Sequence, residues 1–291
     1  LPRKNAKIKP FCLTLTEKRK KMTIPNYRDQ IKLVFFDIDD TLFMKHRDFL
    51  PATVPVFMRK LKENGIIPAI ATGRTRCAFP QKLNQVIEQE GIDLFVTMNG
   101  QMASYRGQVI EKHVIPTEKI RRLVHFFEQH HIAYAFVSDH TVAVSERNVV
   151  VQCAMDPILK DYIVDKTFFE GNDIGQVLPF YRAEQDELVQ NSGILDGLRV
   201  VRWHEDSVDL FDAEGSKARG IQAVVKHLGL QMDNVMAFGD QLNDLEMLNT
   251  VGVGVAMGNG HEKLKAIADH VAEPLEQDGI YRFLMKAGLI N

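Results

Sequence analysis

The stretch VFFDIDDTLF, residues 34–43, places three carboxylates within four positions directly after an apolar run. The three carboxylates belong to Asp37, Asp39 and Asp40. Like charges this close repel each other, and mutual repulsion raises the pKa of each carboxyl group. A fold that keeps these side chains together must therefore supply an opposite charge.

The segments around this stretch alternate between strand and helix patterns. Residues 31–36 form a short, continuous apolar run that is typical of a buried strand. A helix pattern follows and ends at Gly65, and further strand–helix alternation continues to about residue 113. The same rhythm returns from about residue 206 to the C-terminus. Apolar strands that alternate with helices predict an α/β fold with a doubly wound parallel sheet.

Residues 114–205 break this rhythm. A helix pattern at the start is followed by short alternating segments that lack the spacing of β-α-β units. We therefore expect an α+β module of residues 114–205 inserted into a core domain of residues 31–113 and 206–291.

The first 30 residues are strongly basic. They contain nine lysines and arginines against Glu17 and Asp29, although the whole chain has a formal net charge of −2. A basic arm can bind nucleic acid or an anionic membrane, but this segment shows no periodicity and mostly precedes Met22, which we take as the natural start. We therefore expect residues 1–30 to be a non-native or disordered extension, with no nucleic-acid or membrane partner.

The composition is that of an ordinary globular enzyme, with 45% hydrophobic and 25% charged residues. No apolar run approaches the roughly 18 residues of a membrane helix, and the N-terminal region lacks the apolar core of a signal peptide. Cys12, Cys77 and Cys153 are scattered without a CxxC pair, which argues against a zinc site or a disulfide framework. These patterns predict a cytoplasmic protein.

Polar side chains follow three of the predicted strands. Asp37 and Asp39 follow the first strand, Thr72 follows the second, and Asp240 follows a later one. Ligands of open parallel sheets bind beyond the carboxyl ends of the strands, so these side chains should meet at one crevice. Mg²⁺ prefers hard oxygen ligands, typically one or two carboxylates together with phosphate and water. The sequence therefore predicts a magnesium site that is completed by a phosphoryl group.

Two other interpretations of the acidic stretch fit less well. A calcium-binding EF-hand loop counted from Asp37 needs Gly at its sixth position and Glu at its twelfth, where this chain has Leu42 and Asp48. Helix N-capping explains one of the acidic residues but not the whole group.

A second set of residues suggests phosphate binding. Ser216 has the character of an N-cap, which places Lys217 at the first helical position, where a cation opposes the helix dipole. A bound anion would reverse that penalty, whereas the alternative is a solvated lysine. Gly73 allows close backbone approach, and Thr72 offers a hydroxyl to a phosphoryl oxygen.

The ordered motifs resemble the haloacid dehalogenase (HAD) superfamily, specifically its Cof-type phosphatases of the capped subclass IIB. The motifs are DIDDT (37–41), ATGR (71–74), GSKARG (215–220) and GDQLND (239–244), supported by TMNG and VAMGNG. The resemblance spans residue 31 to the C-terminus and departs from the family pattern at Asp40, where many members have Gly. It implies that the inserted module is a cap over a Rossmann-like core.

The resemblance also implies a Mg²⁺-dependent phosphatase of small phosphorylated metabolites that forms an aspartyl-phosphate. Asp37 would be the nucleophile, and Asp39 would be the general acid and base. The backbone carbonyl of Asp39 would contact the metal, and Asp244 would support the metal shell or orient Lys217. The implied metal residues are Asp37, Asp39, Asp240 and Asp244. The implied phosphoryl-binding residues are Thr72, Gly73, Lys217 and Asn243.

Other functions stay open on the sequence alone. A phosphomutase that acts on sugar phosphates shares the capped fold, and a phospho-receiver switch gathers similar side chains around an aspartate. Helix capping is an alternative role for Asn243 and Asp244, which open a predicted helix. Arg74 either binds an anionic substrate or forms a surface salt bridge. The sequence does not choose between a monomer and a dimer.

Overall fold

The computed structural model describes residues 24–291, so most of the predicted extension (residues 1–23) lies outside the described residues. Ile24 and Tyr27 pack against the hydrophobic core. The backbone amide of Tyr27 donates to the carbonyl of Ala287, and its hydroxyl hydrogen-bonds to His270 Nε2 at 2.7 Å. The prediction that residues 24–30 belong to a disordered extension is therefore wrong.

The chain folds into two sheets with helices packed on them. The strands are β1 (Leu33–Phe36), β2 (Ile67–Ala71), β3 (Leu94–Thr97), β4 (Met102–Tyr105), β5 (Gln108–Lys112), β6 (Ala133–Val137), β7 (Val142–Val144), β8 (Ile163–Val164), β9 (Gln176–Phe180), β10 (Leu198–His204), β11 (Ser207–Asp212), β12 (Val235–Gly239), β13 (Val253–Ala256) and β14 (His270–Val271). The helices are α1 (Thr53–Glu63), α2 (Gln81–Glu90), α3 (Thr117–Gln129), α4 (Val149–Met155), α5 (Asp186–Asn191), α6 (Lys217–His227), α7 (Leu245–Thr250), α8 (Glu262–Ile267) and α9 (Gly279–Lys286).

The main sheet has eight strands in the order β14-β13-β12-β1-β2-β3-β4-β5. The strands from β14 to β3 are parallel, and β4 and β5 add an antiparallel edge. Val34 and Phe36 face a core cluster built with α1, α2 and α9, whereas Leu33 and Phe35 face a second cluster built with α6 and α7. Because successive strand residues point to opposite faces, β1 is apolar throughout. The predicted α/β fold with a doubly wound core is confirmed.

The second sheet has six strands in the order β10-β11-β9-β6-β7-β8 and is antiparallel except between β7 and β8. The insertion was predicted to end at residue 205, but β11 pairs with β10 and β9, so this sheet continues to Asp212. The turn between β10 and β11 is Glu205–Asp206, which lacks the glycine or asparagine that marks most two-residue hairpins in a sequence.

No helix within residues 24–291 is long and apolar enough to span a bilayer.

The turn after β3 packs against the start of α6 at Gly100. Gly100 has φ +86°, and a Cβ atom built on it would lie 1.9 Å from the carbonyl oxygen of Ser216. Only glycine combines this backbone conformation with so close an approach. The contact fixes the N-terminus of α6, and therefore Lys217, relative to the main sheet.

Gly100→Ala should lower the free energy of unfolding by about 3 kcal/mol or more, because it adds overpacking to left-handed strain. Urea unfolding would measure the loss. Gly107 is the matched control: it has φ +75° with no atom within 4 Å of the position that a Cβ would take, so Gly107→Ala should cost about 1 kcal/mol. Equal losses in the two variants would contradict the tight contact at Gly100.

Candidate active site

Three carboxylates meet where β1 and β12 end. The two strands pair in parallel with Phe36 beside Phe238, so Asp37 and Asp240 leave the same edge of the sheet. The backbone amide of Asp37 donates to the carbonyl of Phe238 at 3.0 Å, which continues the pairing into the site. Asp37, Asp240 and Asp244 each offer an oxygen atom within 4.8 Å of the others. The structure thus brings together residues that the sequence placed at separate strand ends.

Lys217 lies inside this cluster. Its Nζ is 2.7 Å from Asp37 Oδ1 and 2.7 Å from Asp244 Oδ1, and the residue is 1% exposed. Burial alone would lower the pKa of Lys217, but the charges of Asp244 and Asp37 raise its pKa above the usual value. Lys217 is therefore a buried cation, which excludes the alternative of a solvated lysine. Ser216 caps α6 by accepting from the amide of Arg219, as predicted.

Asp244 uses both of its carboxylate oxygens. Oδ1 accepts from Lys217, and Oδ2 accepts from the backbone amides of Asp240 and Gln241 at 2.9 Å and 3.1 Å. The family resemblance implies that Asp244 either supports the metal shell or orients Lys217. These contacts match the second role. The same contacts tie the loop after β12 to the start of α6.

Asp240 retains a carboxylate oxygen without a partner. Its Oδ1 accepts from the hydroxyl of Thr41 at 2.9 Å, but its buried Oδ2 has no hydrogen-bond partner in residues 24–291. Burial and mutual repulsion raise the pKa of both Asp37 and Asp240, and Lys217 only partly opposes the rise. The unpaired buried oxygen of Asp240 and the excess negative charge fit a divalent cation with oxygen ligands.

The side chain of Asp39 pairs with Arg74 and does not join the three carboxylates. Arg74 donates from Nε to Asp39 Oδ2 at 2.8 Å and from Nη2 to Oδ1 at 2.6 Å, while Nη1 donates to the carbonyl of Ala78. The Arg74 side chain is 7% exposed, so its salt bridge with Asp39 is not the surface salt bridge that the sequence left as an alternative. The Asp39 side chain is not among the three carboxylates of the cluster.

Arg74 also sets the charge of Asp39. Burial alone would raise the pKa of Asp39, but the hydrogen bonds and charge of Arg74, together with Lys45 and Lys217, lower its pKa below the usual value. Asp39 is therefore ionised in the absence of substrate.

The loop after β2 meets two asparagines. Thr72 Oγ1 accepts from the amide of Arg74 at 3.1 Å, and a Cβ atom on Gly73 would lie 3.2 Å from the side-chain amide of Asn99. Asn99 has φ +52° and accepts from Asn243 Nδ2 at 3.2 Å. The structure therefore groups three of the four phosphoryl-binding candidates, Thr72, Gly73 and Asn243, around Asn99. In the sequence, Asn99 belongs to the TMNG stretch, which supports the family resemblance but did not assign a role to this residue.

Asp40 occupies the position where many family members have Gly. Its φ is +53°, a left-handed conformation that Gly adopts freely and that Asp tolerates better than most residues. Burial, followed by the charge of Asp39, raises the pKa of Asp40. The residue lines the cavity described next.

A cavity of about 500 Å³ separates the carboxylates from the second sheet. The second sheet and its helix contribute a wall that is largely apolar. The site residues that the core contributes to the cavity are Asp37, Asp39, Asp40, Thr72, Gly73, Arg74, Asp240 and Asn243. The residues of that wall include Val137, Val142, Met155, Ile158, Gln176, Leu178, Val201, Arg202, Trp203 and Asp209. The cavity thus has charged side chains on the side of the core and mostly apolar side chains on the side of the second sheet.

Comparison with known proteins identifies the family. Residues 34–284 match the model of the haloacid dehalogenase-like hydrolases. The chain is 36% identical to the putative phosphatase YkrA of Bacillus subtilis over 89% of this chain and 99% of the relative. It is 34% identical to a putative bifunctional phosphatase/peptidyl-prolyl cis-trans isomerase of Streptococcus pyogenes over 90% of this chain, and it spans only 55% of that relative. Its fold matches the subclass IIB sugar phosphatase BT4131 with a TM-score of 0.79 and 29% identity, over 89% of this chain and 100% of the other.

The chain therefore belongs to the haloacid dehalogenase-like hydrolases, as the ordered motifs indicated. Within that family its likeness is to the Cof-type phosphatases of subclass IIB, so it is a hydrolase of phosphate monoesters. This membership contradicts the alternative of a phospho-receiver switch.

Mg²⁺ should stabilise the metal-free protein, because the folded chain gathers three carboxylates that the unfolded chain does not. At a Mg²⁺ concentration of 100 times Kd the gain is about 2.7 kcal/mol. Asp240→Asn should abolish this gain, and without metal it should be at least as stable as the wild type because one of the repelling charges is removed. Thermal unfolding in EDTA and in MgCl₂ would measure both effects.

Asp233→Asn is the matched control for this prediction. Asp233 is an exposed carboxylate just before β12, outside the cluster, so this variant should keep the full Mg²⁺ effect. If Mg²⁺ stabilised Asp240→Asn as much as the wild type, the cation would bind elsewhere.

Proposed function

We propose that this chain is a Mg²⁺-dependent phosphatase of small phosphorylated metabolites, either sugar phosphates or phosphorylated cofactors, and that it works through an aspartyl-phosphate. The observation that supports this most directly is the position of Asp37, which contacts Lys217 and opens into a cavity large enough for a metabolite. The names of the relatives, a putative phosphatase and a sugar phosphatase, support the same class of substrate.

The carboxylate cluster is the proposed magnesium site. Asp37 and Asp240 would hold the ion, together with the backbone carbonyl of Asp39, and the unpaired Oδ2 of Asp240 supports this assignment. Bound Mg²⁺ would neutralise charge on the phosphoryl group. Asp244 would keep Lys217 in place, because both of its oxygens are already engaged.

Asp37 is the proposed nucleophile. Its carboxylate oxygen would form a bond to phosphorus while the ester bond breaks, and Asp39 would give a proton to the leaving oxygen. Asp39 would then take a proton from the water that hydrolyses the aspartyl-phosphate, which releases inorganic phosphate and restores Asp37.

The phosphoryl oxygens would be held by donors around the loop after β2. The hydroxyl of Thr72 accepts from the amide of Arg74, so its hydrogen is available to a phosphoryl oxygen. The backbone amide of Gly73, the ammonium of Lys217 and the amide of Asn243 would complete the set. Phosphoryl transfer depends chiefly on such positioning and charge stabilisation.

We propose that the second sheet, with its helices, is the cap domain. It covers the cavity opposite the carboxylates, where it would exclude water and select the leaving group. The domains are then a core of residues 24–113 and 213–291 and a cap of residues 114–212. The phosphomutase alternative has no observation in its favour, and a cytoplasmic location stays a prediction.

Asp37→Asn should lower kcat by at least ~10³-fold on a panel of phosphate esters, because the nucleophile is lost while the fold remains. Steady-state assays with and without Mg²⁺ would measure this, and thermal unfolding would check the fold. Acid-quenched wild type should yield a phosphorylated peptide that contains Asp37.

Asp161→Asn is a control for this experiment, since Asp161 is exposed and distant in sequence from every motif. It should retain wild-type turnover. Turnover by Asp37→Asn at the wild-type rate would assign the nucleophile to another residue.

Arg74→Met should raise the pKa of Asp39, because the cation that favours the ionised form is removed. Asp39 then takes up its proton at higher pH, so the acidic limb of kcat/KM for an alkyl phosphate should move up by about 1 pH unit or more, because ionised Asp39 is the form that accepts the proton of the substrate. The same limb of the kcat/KM profile for p-nitrophenyl phosphate should not move, because the leaving group of this ester needs no proton. Arg74→Lys keeps a cation and is the control, and an equal shift for both esters would count against a proton-donating Asp39.

A further inference from the structure

Besides Arg202, whose guanidinium already donates to Asp186 and to the carbonyls of Tyr181 and Glu205, two polar residues interrupt the apolar wall that the second sheet turns toward the cavity. They are Asp209 on β11 and Gln176 on β9. The antiparallel pairing of Leu210 with Val177 places Asp209 beside Leu178, so Asp209 and Gln176 are diagonal neighbours on one face. The same register places Phe211 opposite Gln176, and the other residues of the cavity wall near the pair include Val137, Leu178 and Val201.

Asp209 is a buried carboxyl group with a single partner. It is 8% exposed, and Asn99 Nδ2 donates to its Oδ2 at 3.0 Å. Asn99 is its one hydrogen-bond partner in the described part of the chain, and burial raises the pKa of Asp209 to about 7. A carboxyl group in such a place costs stability unless something else pairs with it. The cavity is where that second partner would come from.

Gln176 is a buried amide with an unused donor. It is 2% exposed, and its Nε2 has no hydrogen-bond partner among residues 24–291. A buried donor left unpaired costs about 1–3 kcal/mol. Gln176 lines the cavity beside Asp209, so a molecule packed against this wall would bring an acceptor to the buried donor.

The position of Asp209 relative to the floor of the site defines what it contacts. Asn99 joins Asp209 to Asn243, so Asp209 lies two hydrogen bonds from a proposed phosphoryl-binding residue. A carboxylate repels phosphoryl oxygens, so Asp209 would not hold the phosphoryl group, but its place in the cavity wall beside the phosphoryl-binding residues lets it contact the leaving group.

On the basis of the proposed function, we propose that Asp209 and Gln176 determine specificity for the leaving group. Asp209 accepts a hydrogen bond from a hydroxyl or ammonium group near the ester oxygen, and Gln176 donates to an oxygen of the same leaving group. The aliphatic side chains around them cover its carbon skeleton. The preferred substrates are thus monophosphates that carry a hydrogen-bond donor close to the ester and an apolar portion beyond it.

The test compares propyl phosphate, glycerol phosphate and aminopropyl phosphate, which share a three-carbon chain and differ in the donors they carry. In the wild type, kcat/KM for glycerol phosphate or aminopropyl phosphate should exceed that for propyl phosphate. Asp209→Asn should lower this ratio at least ~10-fold, because it replaces a charged acceptor with an amide of the same shape. The ester whose ratio falls more identifies the hydroxyl or the ammonium group as the natural donor.

Gln176→Leu is the second variant, and it leaves Asp209 and its link to Asn99 intact. It should lower the ratio of glycerol phosphate to propyl phosphate by ~3-fold or more, since only the oxygen-bearing ester loses a hydrogen bond. Asp161→Asn, in the same module but exposed, should leave every ratio unchanged. Thermal unfolding checks that each variant is folded.

Several outcomes would overturn the proposal. Unchanged ratios in both variants would reduce Asp209 and Gln176 to structural residues. An equal loss of kcat/KM for all three esters in Asp209→Asn would mean that Asp209 acts through Asn99 on the phosphoryl site. A wild type that hydrolyses p-nitrophenyl phosphate without preferring a donor-bearing ester would refute the specificity pair alone. A wild type that hydrolyses none of these esters would overturn the proposed function as well.

Discussion

The site depends on one buried cation, Lys217, held between two carboxylates. A lysine at the first position of a helix opposes the helix dipole, and a buried ammonium loses its hydration. Contacts of 2.7 Å to Asp37 and Asp244 offset both penalties. Because these carboxylates follow β1 and β12, the same contacts fix the start of α6 against the edge of the sheet. Three segments that are distant in sequence thereby meet at one point.

Lys217 alone does not balance the charge around it. The cluster contains three carboxylates and one lysine, and an oxygen of Asp240 stays unpaired. The excess negative charge makes a second cation favourable, and the phosphoryl group that follows brings negative charge of its own. Binding of a cation would relieve this repulsion, which is a physical reason for a fold to retain carboxylates that repel each other.

The fold class could be read from the sequence because its signals are local. The continuous apolar run of β1 indicates burial on both faces, and Ser216 before Lys217 marks the start of α6. The missed features depend on contacts between distant residues. Asp39 and Arg74 are 35 residues apart, and Asn99 and Asp209 are 110 residues apart. The register in which β11 pairs with β9 has no local sequence pattern that would predict it. The roles of the site residues stay predictions, since geometry shows proximity and not turnover.

The pairing of Asp39 with Arg74 restricts how a proton reaches the leaving group. An acid whose pKa is lowered by an arginine holds little of its proton near neutral pH. A phosphate ester has a second pKa of about 6, so part of the substrate arrives as a monoanion with one proton. Ionised Asp39 is a ready acceptor for that proton, which it would return to the leaving oxygen as the ester bond breaks. In this scheme Arg74 favours the base form that the later attack of water requires, and the substrate supplies the proton that the first step needs.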